Sequence, residues 1–158
     1  MTDHECIHCS GHDVEQVMSE KIAEHGWTAT GVKSDRGHFP FVYTTGLTKL
    51  GQPELIMIGI PIQLGYGVIQ DTIDAMHEGL VLEAGKTYPN LVSGDYELAV
   101  VEVIDPLNPE YPQSCTTIFY GETFRSYQLV WPDQKGRYPW DEGSQVSEQP
   151  VLGVWEPA

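Results

Sequence analysis

The residues best suited to chemistry fall into three clusters. Residues 1–12 read MTDHECIHCSGH, placing Cys6, His8, Cys9 and His12 within seven positions. Thiolate and imidazole are the ligands zinc and iron prefer, and Cys6 and Cys9 form a Cys-x₂-Cys half-site. A second half-site exists only if the two histidines supply it, so a zinc site competes with a terminal tail that holds no metal. The second cluster is FVYTTGL at residues 41–47, where Tyr43, Thr44 and Thr45 end a strand and Gly46 opens the next loop. Hydroxyls and free backbone N–H groups at a strand end can grip a polar ligand. The third is QLVWPDQKGRYPW at residues 128–140. Gln128, Trp131 and Trp140 there can wall an apolar pocket, with Asp133 or Arg137 orienting a polar group. The plainer reading is that two large indoles cover a sheet.

Other segments carry weaker signals. GIPIQLGYG at residues 59–67 joins a strand, a proline turn and a helix start, a place where a helix N-terminus can hold an anion. Its glycine spacing fits neither a P-loop nor a dinucleotide fingerprint, and turn geometry with helix packing is the stronger reading. His38 and Asp35 share a turn and could exchange protons, although a polar turn explains them equally. Cys115 reads as a buried inert thiol. No Ser-His-Asp order or nucleophile elbow is present.

The elements that must position these groups follow from periodicity. Residues 13–25 carry Val14, Val17, Met18 and Ile22 at helical spacing, with Gly26 as a stop. Residues 27–33 and 39–45 read as a strand hairpin, and residues 54–60 as a strongly apolar strand ended by Pro61. Residues 63–79 form the best helix, its buried stripe expected at Leu64, Val68, Ile73, Met76 and Leu80. Residues 80–83 and 90–92 suggest short strands around a turn at 85–89. Residues 96–104 suggest a central strand. Residues 114–119 fit a strand or a short helix, and 123–130 stays ambiguous. The apolar residues of 149–155 suggest a tail docked on the body.

The expected build is an α+β fold: one mixed or antiparallel sheet covered by two helices, with a Trp/Pro-rich C-terminal hairpin. Residues 1–12 are then a tail and 13–158 one domain.

The formal charge is −15, with eight Lys plus Arg against 23 Asp plus Glu. The basic residues are scattered, which disfavours a nucleic-acid polymer or a membrane surface as partner. A small molecule remains open as partner, and a homo-oligomer is compatible with the composition. The chain lacks a leading basic-then-apolar segment, and its three cysteines are too few for a disulfide framework, so the expectation is a cytoplasmic protein.

His25-Gly26-Trp27, Phe41-x-Tyr43-Thr44-x-Gly46-Leu47 and Pro53-Glu54-Leu55 occur in this order. They are followed by Gln128-Leu129-Val130-Trp131-Pro132-Asp133 with Gly136, then Pro139-Trp140 and Gln149-Pro150-x-Leu152-Gly153. In these stretches the chain resembles the DUF4262 domains of bacteria and some phages. The resemblance implies one domain and places Thr44, Gly46, Glu54, Trp131, Asp133 and Trp140 in a recurring pattern. It implies no established activity. Where that family often has His before Pro-Glu-Leu, this chain has Gln52, so an imidazole role is absent there. The preferred functional expectation is a small-ligand-binding protein. Its pocket would lie between Tyr43, Thr44, Thr45 and Gly46 on one side and Gln128, Trp131, Asp133 and Trp140 on the other. If phage-encoded, it could sequester a nucleotide-like signal. The alternatives are a small-molecule hydrolase or transferase, with Asp133, Glu54 or His38 meeting Tyr43, and a protein-interaction module using exposed Trp and the acidic surface.

Overall fold

A computed structural model describes residues 11–33, 39–107 and 113–158. Within these residues six strands form one sheet: β1 (Thr28–Val32), β2 (Phe41–Thr45), β3 (Glu54–Ile58), β4 (Thr87–Tyr88), β5 (Leu98–Glu102) and β6 (Ser126–Val130). Their order is β1-β2-β3-β6-β5-β4. Every neighbouring pair is antiparallel except β3 and β6, which run parallel with Glu54 beside Ser126 and Ile56 beside Gln128. The sheet is therefore mixed, and its centre is the β3–β6 pair. The expected central strand, β5, lies one place outward, and the turn expected at 85–89 contains the two-residue edge strand β4.

Among the described residues, three α-helices flank the sheet: α1 (Gly11–His25), α2 (Ile62–His77) and α3 (Ser114–Tyr120). The expectation of two covering helices is corrected by α3. Its sequence SCTTIFY is β-branched and aromatic, so local propensity left it undecided. Tertiary packing decides it. Cys115 is fully buried and joins Tyr43, Ile56, Ile58 and Val103 in one cluster, with Ile118 and Phe119 against it. Gly121, at φ 66°, ends the helix by donating its N–H to the Thr117 carbonyl. The expected C-terminal hairpin is also corrected. Residues 131–140 pair in no strand; two prolines and a tight turn at residues 133–137 replace the ladder.

Alternation along the strands builds two cores. Val42, Leu55, Met57, Leu98, Val100 and Leu129 face α2 and meet Val68, Ile69, Ile73 and Met76. The actual stripe of α2 is Gly65, Val68, Ile69, Thr72, Ile73 and Met76, while Leu64 lies outside it at 53 % exposure. The opposite face is shared. α1 and α3 cover the β2–β3 side, and the chain beyond residue 138 covers β5 and β6 through Trp140, Val151 and Trp155. The docked tail expected at 149–155 is thus present. Gln128, fully buried on β6, holds it by donating Nε2–H to the Pro150 carbonyl (2.6 Å) and accepting the Leu152 N–H (2.7 Å). Gly153 lets the tail lie against β5, because a Cβ there would overlap the Glu102 carbonyl.

Gly46, between β2 and the 3₁₀ turn Leu47–Leu50, combines a positive φ with close backbone neighbours. Its φ is 117°, and a Cβ would sit 2.8 Å from both the Gly26 carbonyl oxygen and the Trp27 Cα. Gly51 also has positive φ (78°) but open space around it. Gly46→Ala should lower unfolding free energy by about 3 kcal/mol or more, against about 1–2 kcal/mol for Gly51→Ala. Denaturant unfolding of both variants checks the difference, and equal losses would show that the contact with residues 26 and 27 costs nothing.

Candidate functional site

The strand register separates the predicted site residues. Tyr43 lies opposite Ile56, and Glu54 lies beside Ser126. The end of β2 therefore sits with the starts of β3 and β6, whereas Trp131 follows the end of β6. About 13 Å of strand lies between these two ends of the sheet. Tyr43, Thr44, Thr45 and Gly46 do not line one pocket with Trp131, Asp133 and Trp140.

At the β2 end, the polar groups are spent inside the protein. Glu54 is fully buried and accepts four hydrogen bonds: from Thr44 Oγ1 (2.8 Å), Thr48 N (2.8 Å), Thr48 Oγ1 (2.6 Å) and Tyr120 Oη (2.7 Å). Two of these donors are held in turn by backbone. Leu55 N–H donates to Thr44 Oγ1 (2.9 Å), and Gly46 N–H donates to Tyr120 Oη (2.9 Å). Thr116 on α3 donates to the Thr44 carbonyl (2.7 Å), so at the 2.8 Å Thr45–Thr116 contact the Thr45 hydroxyl is the donor. The Tyr43 hydroxyl accepts the Cys115 N–H (3.2 Å). Burial, and then the charge of Glu54, push the Tyr120 phenol up to about 12. Among the described residues no cation pairs with Glu54; hydroxyls and one amide alone offset its desolvation.

At the other end, Asp133 is 4 % exposed and organises its own loop. It accepts the N–H groups of Lys135 (2.8 Å), Arg137 (2.9 Å) and Gln145 (3.0 Å), and the Arg137 Nε–H (3.0 Å). Burial works against its charge, but the amides of Gln145, Arg137 and Lys135 and the Arg137 guanidinium outweigh burial. They hold the carboxyl far below the usual carboxylate range. Trp131 is fixed by the buried Gln149. The Trp131 N–H donates to Gln149 Oε1 (3.3 Å), Gln149 Nε2 donates to the Trp131 carbonyl (2.9 Å), and the indole N–H points to the Ile58 carbonyl (3.4 Å).

The Trp131 indole forms one wall of a cavity of about 190 Å³, closed by Met57, Ile60, Pro61, Leu64, Val92, Tyr96 and Pro132. It lies on the α2 face, beyond the ends of β3 and β6. Sequence reasoning named Trp131 but missed the rest. The signal available was the segment at residues 59–67, already noted as a strand-to-helix turn, together with Leu64, an apolar residue displaced from the helix stripe. Trp140 belongs elsewhere: it packs over β5 and β6 against Trp155 and Tyr138.

Of the proposed metal ligands, Cys6, His8 and Cys9 lie outside the described residues, and for His12 only its backbone in α1 is described. Asp35 and His38 also lie outside them. Among the described residues, no group of three or more His, Cys, Asp or Glu could hold a metal ion, and no helix is long and apolar enough to cross a membrane.

A family model described as a domain of unknown function, DUF4262, matches residues 21–145, and the chain belongs to that family. No curated protein and no solved structure matches.

Two outcomes follow from the hydrogen-bond geometry. Tyr120→Phe leaves the Gly46 N–H and one Glu54 oxygen each short of a partner and should cost about 1–3 kcal/mol of stability in denaturant unfolding. Asp133 has a folded-state pKa below its unfolded value of about 3.9. Its stabilisation is therefore complete above that pH and lost as the pH falls through the depressed folded value. The gap in melting temperature between wild type and Asp133→Asn should be constant from pH 6 to 8 and shrink below about pH 4. A gap that peaks in acid would contradict the assignment.

Proposed function

We propose that this DUF4262 domain binds a small molecule by inserting a planar apolar group beside Trp131. The observation that carries the reading is the Trp131 cavity, a pre-formed apolar space whose indole wall is held by hydrogen bonds on its backbone and its ring nitrogen. Pre-organisation of this kind removes part of the ordering cost of binding.

Two further features support it. The cavity lies beyond the carboxyl ends of β3 and β6, the parallel pair of the sheet, and β3 leads directly into α2 there. Crevices at strand carboxyl ends, where the chain turns into a helix, are common ligand sites in α/β sheets, and the likeness is one of geometry. At about 190 Å³ the cavity is smaller than the ~300 Å³ at which pockets enclose whole ligands. It has room for one ring system, so the remainder of the ligand would extend past the rim at Pro61 and Leu64. A nucleobase that stacks its face on Trp131 and keeps its polar edge and its sugar at the rim meets this description, in a cytoplasmic setting where the ligand is a nucleotide-like metabolite.

The hydrolase or transferase reading has less support. Both oxygens of Glu54 are occupied and the residue is fully buried, while Asp133 is engaged by four donors within its loop.

Calorimetric titration with nucleosides, nucleotides and simple bicyclic heterocycles tests the proposal. Binding should be saturable and weaken at least about tenfold in Leu64→Trp, which fills the rim from an exposed position without disturbing the core. Heat from none of the compounds, or undiminished binding by Leu64→Trp, would overturn it.

A further inference from the structure

We infer that the aromatic wall of Tyr138, Trp140 and Trp155 docks an arginine-bearing segment of a partner protein. This wall lies on the sheet face opposite the Trp131 cavity, so the inference does not depend on that site.

The three rings form a nearly parallel stack. Trp140 and Trp155 have centroids 4.8 Å apart at 9°, and Tyr138 lies 5.3 Å from Trp140 at 11°. Burial against Ala99, Val101 and Val130 accounts for their inner edges. It does not account for their remaining exposure, or for the open groove of about 690 Å³ that Trp140 and Trp155 border with Pro139, Glu148, Pro150 and Val154. Val154 is 63 % exposed at its edge.

Charge selects the occupant. Glu148 lines the groove, and Asp141, Glu142 and Glu156, next to the two indoles in sequence, are all exposed. The chain as a whole carries −15. Of the two cations in the loop before Trp140, Arg137 is bound to Asp133, which leaves Lys135. A polyanion that could stack its bases here would be repelled. A guanidinium is flat, so it can extend the ring stack while its edge N–H groups reach the Glu148 carboxylate. An ammonium offers charge without the plane.

The test follows the four indole N–H resonances in ¹⁵N spectra during titration with a short arginine–glycine peptide and a lysine–glycine peptide of equal length. Saturable shifts are expected for Trp140 and Trp155 but not for Trp27 and Trp131. The arginine peptide should bind at least about threefold more tightly than the lysine peptide. Glu148→Lys, at an exposed position that leaves the fold intact, should weaken binding about fivefold or more. Static Trp140 and Trp155 signals, equal affinity for the two peptides, or a Glu148→Lys variant that binds as wild type would each overturn the inference.

Discussion

The buried carboxylate of Glu54 is the interaction on which the β2 end of the molecule depends. It begins β3, and its four donors come from β2, from the turn after β2 and from α3. A carboxylate taken out of water without compensation costs several kcal/mol, and here the compensation comes from groups far apart in sequence. The network therefore forms only when β2, β3 and α3 are all in place. It ties α3 to β3, and Gly46, whose N–H reaches the Tyr120 hydroxyl, holds a positive φ that a residue with a side chain would resist. An apolar residue at position 54 would deprive Thr44, Thr48 and Tyr120 of this acceptor.

Glu54 thus engages the polar strand end from inside the protein. The hydroxyls and amides there are consumed in holding the fold. The same sheet carries its open cavity at the far end, where β3 and β6 finish together and α2 begins. Binding sites benefit from rigid walls. Trp131 gains rigidity from Gln149, and the tail that carries Gln149 is held in turn by Gln128 from inside the sheet. The sequence separation between these partners places the C-terminal tail among the determinants of the cavity.

Much of the fold was legible in the sequence because burial leaves periodic traces. The alternation in residues 28–32 and 41–45 and the apolar run at 54–58 marked three strands within a few residues, and the stripe on α2 marked the long helix. α3 was not decidable, because its β-branched and aromatic residues suit a strand locally and only their burial against Tyr43 and Ile56 selects a helix. Strand order was hidden for a different reason. Nothing local in residues 126–130 reveals that they pair in parallel with residues 54–58, some seventy positions earlier, yet that pairing sends the Tyr43 and Trp131 clusters to opposite ends. In the two clusters, Thr44, Gly46 and Asp133 are all engaged in hydrogen bonds within the fold. Residue type alone could not distinguish a polar group turned inward to satisfy the backbone from one turned outward to meet a ligand.

The proposal is a division of labour, with Glu54 stabilising the fold and the Trp131 cavity taking the ligand. Native mass spectrometry of wild type and Glu54→Gln, each purified gently from the cells that produce it, tests this directly when paired with melting curves. The account predicts a low-mass adduct retained equally per folded molecule in both proteins, although Glu54→Gln melts at a lower temperature. An adduct lost from a Glu54→Gln protein whose melting temperature is unchanged would contradict it, since Glu54 would then act on the ligand rather than on the fold.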